Sequence, residues 1–170
     1  MSEIHIREAM PADAAAILDY LNKIGGESIN LLFTENAFVN TTIPEEAAII
    51  KKMVAGTNST MILALDGQQV VSVSSLNGSD RPRAAHRTTL AISVSRTHWN
   101  RGIGSKVLNR LIDIAKSKEL EIIDLEVKAD NQAAIRLYQK AGFKEIGRYP
   151  HFLKIDAHYY DGIFMVLHLN

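Results

Sequence analysis

The chain has 170 residues and balances 19 Lys plus Arg against 19 Asp plus Glu. That length suits one domain, residues 1–170, with a substantial core; the balanced charge excludes a global field toward nucleic acid or an anionic membrane, so any anion site must be local. With no Cys, disulfides, a thiol nucleophile and Cys-based zinc sites are excluded, and without an apolar leader core or a run of roughly 18 apolar residues the expectation is a cytoplasmic, soluble protein.

In chain order, EIHIREA alternates and predicts a first strand. Ala14, Ile17, Leu18 and Leu21 fall at helical spacing between Pro11 and Gly25, which predicts the first helix. The segment SINLLFTENAFVN has no clear period. Thr42, Pro44 and Glu45 fit a capping box with Pro in the first turn, so a second helix should run from Pro44 to about Val54 and stop at Gly56. MILAL and VVSVSSL flank Asp66-Gly67, a hairpin signal that predicts strands two and three.

HRTTLAISV reads as strand four, with Leu90, Ile92 and Val94 on one face. A glycine-containing turn leads into a third helix from about Gly102 to Ser117, whose buried stripe is Val107, Leu108, Leu111, Ile112 and Ala115. IIDLEV is strand five, NQAAIRLYQKA a fourth helix ending at Gly142, and the remaining residues supply two closing strands. Consecutive hairpins beside two strand-helix units imply an α+β protein: a three-layer α/β/α arrangement, with a mixed, mostly antiparallel sheet of about six or seven strands.

The turn HWNRGIGSK carries the chemistry. A helix N-terminus has unpaired N–H groups and about half a positive charge, and glycines let an anion approach the backbone. Arg96, Arg101, Lys106 and Arg110 lie in this window, and no acid intervenes before Asp113. Gly102 and Gly104 alone are equally explained by close packing of strand on helix; charge and placement favour an anion. A Walker loop needs Gly-Lys-Ser/Thr, and a dinucleotide fingerprint needs a third glycine where Val107 stands, so neither fits.

LAISV, RTHWNRGIGSKVL and LEVKADNQAAIRLYQKAGF together, from His86 to Phe143, resemble the GNAT superfamily of N-acetyltransferases, with its R/Q-x-x-G-x-G/A turn and N-x-x-A-x-x-x-Y-x-x-x-GF segment. Trp99 stands where that pattern has Arg or Gln. The resemblance implies a GNAT-like fold that binds acetyl-CoA. Amides of Trp99, Asn100, Arg101, Gly102, Ile103, Gly104 and Ser105 would cradle its pyrophosphate, and Ile92, Ser93 and Val94 would pair with its pantetheine arm as with an added strand. Trp99 would contribute only its backbone, with Arg101 or Arg96 replacing the missing side chain. Asn131 would hydrogen-bond the arm and Tyr138 would protonate the departing thiolate; read without the family, Asn131 is a helix cap and Tyr138 a core tyrosine.

The attacking amine must shed a proton, because alkylamines have pKa values near 10.4. Related sequences often carry a Glu on strand four, where this chain has Thr88 and Thr89. Glu126, alternating with Leu125 and Val127, and His86 are the candidate bases. No metal is expected, since Asp156 and His158 alone fall far short of a site.

The implied activity is acetyl transfer to a primary amine of a small molecule or peptide, by direct attack in a ternary complex. The alternative is a non-catalytic acyl-CoA-binding module, motivated by the missing Glu. Acids in the first third of the chain mildly suit a cationic acceptor. Homodimerisation is an expectation by resemblance alone.

Overall fold

The structure is a computed structural model that describes residues 3–169. Strand β1 (Ile4–Glu8) leads through a 3-10 turn (Pro11–Asp13) into α1 (Ala14–Ile24), an irregular segment and α2 (Ile43–Ala55). Next come β2 (Thr60–Asp66), β3 (Gln69–Gly78), β4 (Arg87–Val94), α3 (Ile103–Ser117), β5 (Ile122–Lys128), α4 (Gln132–Lys140), β6 (Lys144–Ile155) and β7 (His158–His168).

Local chemistry explains most of these boundaries. Thr42 and Glu45 form the reciprocal capping box at the start of α2. Gly67 takes φ 62° between β2 and β3, the left-handed conformation that an Asp-Gly hairpin turn exploits. The start of α1 is more elaborate than its sequence suggests. Asp13 accepts from the Met10 amide at 2.7 Å and receives both terminal nitrogens of Arg7 at 2.7 and 2.8 Å, which ties β1 to the helix. Segment 28–40 forms turns without regular structure.

The seven strands form one sheet in the order β1-β2-β3-β4-β5-β7-β6. All neighbours are antiparallel except β4 and β5. On one face, α3 and α4 bury Val107, Leu108, Leu111 and Ile135 against Leu90, Ile123, Leu125 and Met165. On the other, Ile17, Tyr20, Ile24 and Ile50 from α1 and α2 cover Leu63, Leu65 and Val73. Alternation along each strand feeds both cores, so the helices form two outer layers.

The parallel pair determines where a ligand fits. Strands β4 and β5 are paired only at Arg87↔Ile122, Thr88↔Ile123 and Thr89↔Asp124, and then diverge. The Ser95 amide donates to Val71 on β3; by antiparallel alternation Ile92 and Val94 direct their N–H and C=O groups the other way, into the opening wedge.

Candidate functional site

The wedge opens into a cleft of about 720 Å³ between the end of β4, the start of α3 and one face of α4. Three features shape it. The first is the unpaired side of β4 at Ile92 and Val94. The second is the start of α3, where Gly102 takes φ 73° and the following amides of Ile103, Gly104 and Ser105 lack earlier helical carbonyls. A Cβ at Gly102 would meet nothing within 4 Å, so its conformation, not crowding, calls for glycine; at Gly104 a Cβ would make only ordinary contact with Leu137 Cδ2 at 3.4 Å, so close packing does not require glycine there. The third is α4, whose Asn131 and Tyr138 both face the cleft.

Of the residues singled out by sequence, Ile92, Ser93, Val94, Trp99, Asn100, Gly102, Ile103, Gly104, Ser105, Asn131 and Tyr138 line this one cleft. Arg101 does not line it. Its guanidinium lies 3.5 Å from Asp66 on the β2–β3 hairpin, because the turn doubles back over that hairpin and a carboxylate waits there. The expected replacement for the missing Arg or Gln is therefore partly neutralised.

Trp99 also does more than lend its backbone. Its amide donates to Arg96 C=O at 3.2 Å and its indole Nε1 donates to Val94 C=O at 2.7 Å. That occupies one of the two lone pairs of the Val94 carbonyl on the edge expected to pair with an incoming arm and leaves the Val94 N–H as its unshared group there. Asn131 accepts from the Ala134 amide, so its oxygen caps α4 and its NH₂ is the donor left for a ligand. Tyr138 is 8% exposed, and burial pushes its phenol up to about 12.

The candidate bases lie elsewhere. Leu125 and Val127 belong to the α3/α4 core, so Glu126 emerges on the opposite face of the sheet, exposed, in a second depression of about 550 Å³. His86 is exposed ahead of β4 and lines neither space. Several acids of the first third are structural: Asp13 is held by Arg7, Asp19 by Lys23, Glu45 caps Thr42 and Glu27 accepts from the Arg96 amide.

Sequence reasoning missed three groups. Buried His98 bridges Asp66 at 3.1 Å and the Thr97 hydroxyl at 2.9 Å, anchoring the turn to β2–β3. Lys128, 2% exposed, pairs with Asp130 beside the cleft and sits 4.0 Å from the Tyr160 ring centroid. Tyr20 donates to Ser93 Oγ at 3.1 Å, and burial pushes its phenol well above the ordinary tyrosine range. His98 and Tyr20 meet partners distant in sequence, so no local pattern signals them; Lys128 and Asp130 are two residues apart, but the burial that makes their pair notable is set by tertiary packing.

Among the described residues no group of three His, Cys, Asp or Glu is placed to hold a metal, and no helix is long and apolar enough to cross a membrane.

Residues 27–143 match the family model described as the acetyltransferase (GNAT) family. The L-amino acid N-acyltransferase MnaT of Escherichia coli K12 is 26% identical over 97% of this chain and 94% of its own. An acetyltransferase of the GNAT family from Streptococcus pneumoniae superposes with a TM-score of 0.95 at 28% identity, covering 99% of this chain and 100% of that one. The protein YncA of Salmonella typhimurium, solved with its cofactor acetyl-CoA, superposes at 0.85 with 21% identity, covering 98% and 94%.

Proposed function

Because the chain belongs to the acetyltransferase (GNAT) family, we propose that it transfers an acetyl group from acetyl-CoA to the primary amine of a small molecule or peptide. The observation that carries this reading is the convergence of an unpaired β4 edge, the free amides of α3 and the Asn131/Tyr138 face of α4 on one cleft. These donors suit a diphosphate joined to an extended diamide: helix-start amides take the charged end, and a strand edge takes the amides. The acetyl-CoA bound by YncA and the amino-acid acceptor in the name of MnaT support the same chemistry.

Acetyl-CoA supplies the activated thioester. Ile103, Gly104 and Ser105 hold the diphosphate through backbone N–H groups. Ile92 offers its N–H and C=O to the arm, Val94 offers its N–H, and Asn131 offers its NH₂. A β4 amide also polarises the thioester carbonyl and stabilises the oxyanion that attack creates. Tyr138 donates to the departing sulfur. Transfer of its proton from a phenol near 12 to a thiolate of ordinary pKa about 8.5 is uphill. The hydrogen bond itself therefore carries much of the stabilisation. The amine gives up its proton to a carboxylate on the opposite face of β5, where strand alternation places both Asp124 and Glu126. No residue need be acylated.

Calorimetric titration with CoA, paired with thiol-release assays over amino acids, peptides and polyamines, tests this reading. Absence of CoA binding would overturn it. Tyr138→Phe should lower kcat about 100-fold while CoA affinity stays nearly constant; an unchanged kcat would remove Tyr138 from the mechanism.

A further inference from the structure

The second depression lies on the sheet face opposite α3 and α4, which the packing of α1 on β3 and α2 on β2 leaves open over β5. Its position is set by the point where β4 and β5 part. Thr89 and Asp124 are the last pair before the divergence. Both point to this face, since their neighbours Leu90, Ile123 and Leu125 belong to the opposite core. Thr89 Oγ1 donates to Asp124 Oδ1 at 2.6 Å, and Arg87 Nη1 donates to Oδ2 at 3.0 Å. One carboxylate is thus pinned across the vertex of the wedge, three-quarters buried.

We infer that Asp124, and not Glu126, takes the proton of the attacking amine, which reaches the vertex through this depression. The inference rests on the acetyl-CoA reading above. If α3 holds the diphosphate just beyond the C-terminal end of β4, an arm lying on Ile92 and Val94 runs back along β4 and brings its thioester to the vertex. Strand β4 has no acid between Arg87 and Val94; the carboxylate at the vertex comes from β5 and accepts from the Thr89 hydroxyl. Glu126 lies two residues further along β5, about 6.6 Å at roughly 3.3 Å per residue, where the strands have separated. Its side chain makes no hydrogen bond or ion pair among the described residues, whereas the Asp124 carboxylate is held in one geometry by Thr89 and Arg87 before substrate arrives.

The neutral amine attacks the carbonyl carbon. As its N–C bond forms, the nitrogen becomes far more acidic than the parent ammonium, and its surplus proton passes to the Asp124 carboxylate. The C–S bond then breaks, and sulfur leaves with the electron pair as a thiolate hydrogen-bonded by Tyr138. The charged and titratable groups facing Asp124 are Arg87, Glu126 and His168. Phe164, Val166 and Ile146 form an apolar floor beside them. The acceptor class that fits is an amine on an apolar body, such as an amino acid with a large aliphatic or aromatic side chain.

The test compares wild type, Asp124→Asn, Asp124→Glu, Thr89→Val and Glu126→Gln. Thiol release is measured with acetyl-CoA and L-leucine, L-methionine or L-phenylalanine from pH 6 to 10, alongside CoA calorimetry and thermal unfolding. Asp124→Asn should lose about 100-fold in kcat/KM at neutral pH, with the deficit shrinking at least tenfold as hydroxide replaces the base. Asp124→Glu should recover much of the rate, and Thr89→Val should lose less than Asp124→Asn. CoA affinity should be unchanged throughout. A deficit equal at every pH, a loss below threefold, or the pH-dependent loss appearing in Glu126→Gln instead would overturn the assignment. Turnover of spermidine but of none of the three amino acids would overturn the acceptor class. CoA binding without turnover of any amine would overturn this inference and leave the CoA site standing; failure of wild type to bind CoA would sink the acetyl-transfer reading itself.

Discussion

Trp99 shows how one substitution redistributes hydrogen bonds at the mouth of a cleft. Its indole N–H donates to the Val94 carbonyl and the residue remains 44% exposed, with the Arg96 guanidinium 5.9 Å from its ring centroid. It is the chain's one tryptophan, so its emission reports on this site alone. Titration with CoA should shift or quench that emission, and a flat response at saturating CoA would place the ligand elsewhere. Asp13 makes a stability argument at the same scale. It holds Arg7 in a two-pronged pair, with side-chain exposures of 15% and 28%, and also caps the turn entering α1. Asp13→Ala should cost about 2 kcal/mol in urea unfolding, since it strands a half-buried guanidinium and removes a cap. The Arg7 hydrogen bonds hold the Asp13 carboxyl below its ordinary value of 3.8. Its contribution is therefore complete above pH 4 and disappears as pH falls through the lower folded value.

At the scale of elements, each strand-to-helix junction combines a local signal with a distant anchor. The start of α3 was legible because glycine and basic residues follow an alternating strand. That Asp66 and His98 fasten this turn to the β2–β3 hairpin was not, since 32 positions separate the pair. Gly102→Ala should destabilise the protein by about 1–2 kcal/mol through left-handed backbone strain alone, because the space for a methyl group is empty. Thermal unfolding checks the magnitude; a loss well beyond it would mean that the side chain collides after all. The irregular stretch after α1 offered no period to read, yet Ser28 to Leu31 line the cleft. Loops position residues through packing against other elements, and their own sequence carries little record of it.

For the whole molecule, the two cores share one sheet, and each buries a tyrosine beside β4: Tyr20 below it and Tyr138 above the wedge. Burial raises both phenols. The unfolded chain ionises its tyrosines near pH 10 while the folded chain holds Tyr138 neutral to about 12, so stability is complete below pH 10 and falls as pH rises through that window. Tyr138 alone should contribute on the order of 2 kcal/mol to this loss. Tyr138→Phe should accordingly show a shallower alkaline decline; an identical decline in both proteins would mean that Tyr138 ionises in the native state.

What the residues determined on their own was periodic or local: the order of strands and helices, the hairpin at Asp66-Gly67, the capping box at Thr42, and an anion-ready turn before α3. Those signals depend on neighbours within a few positions, where backbone geometry acts directly. The family pattern then grouped Asn131 and Tyr138 with that turn. Only tertiary structure decided that β4 and β5 separate after Thr89, that Arg101 is drawn to Asp66 and that Asp124 is fixed across the vertex. Each depends on which elements become neighbours, and a change of one residue in the register of β4 or β5 would send Thr89 or Asp124 to the other side of the sheet.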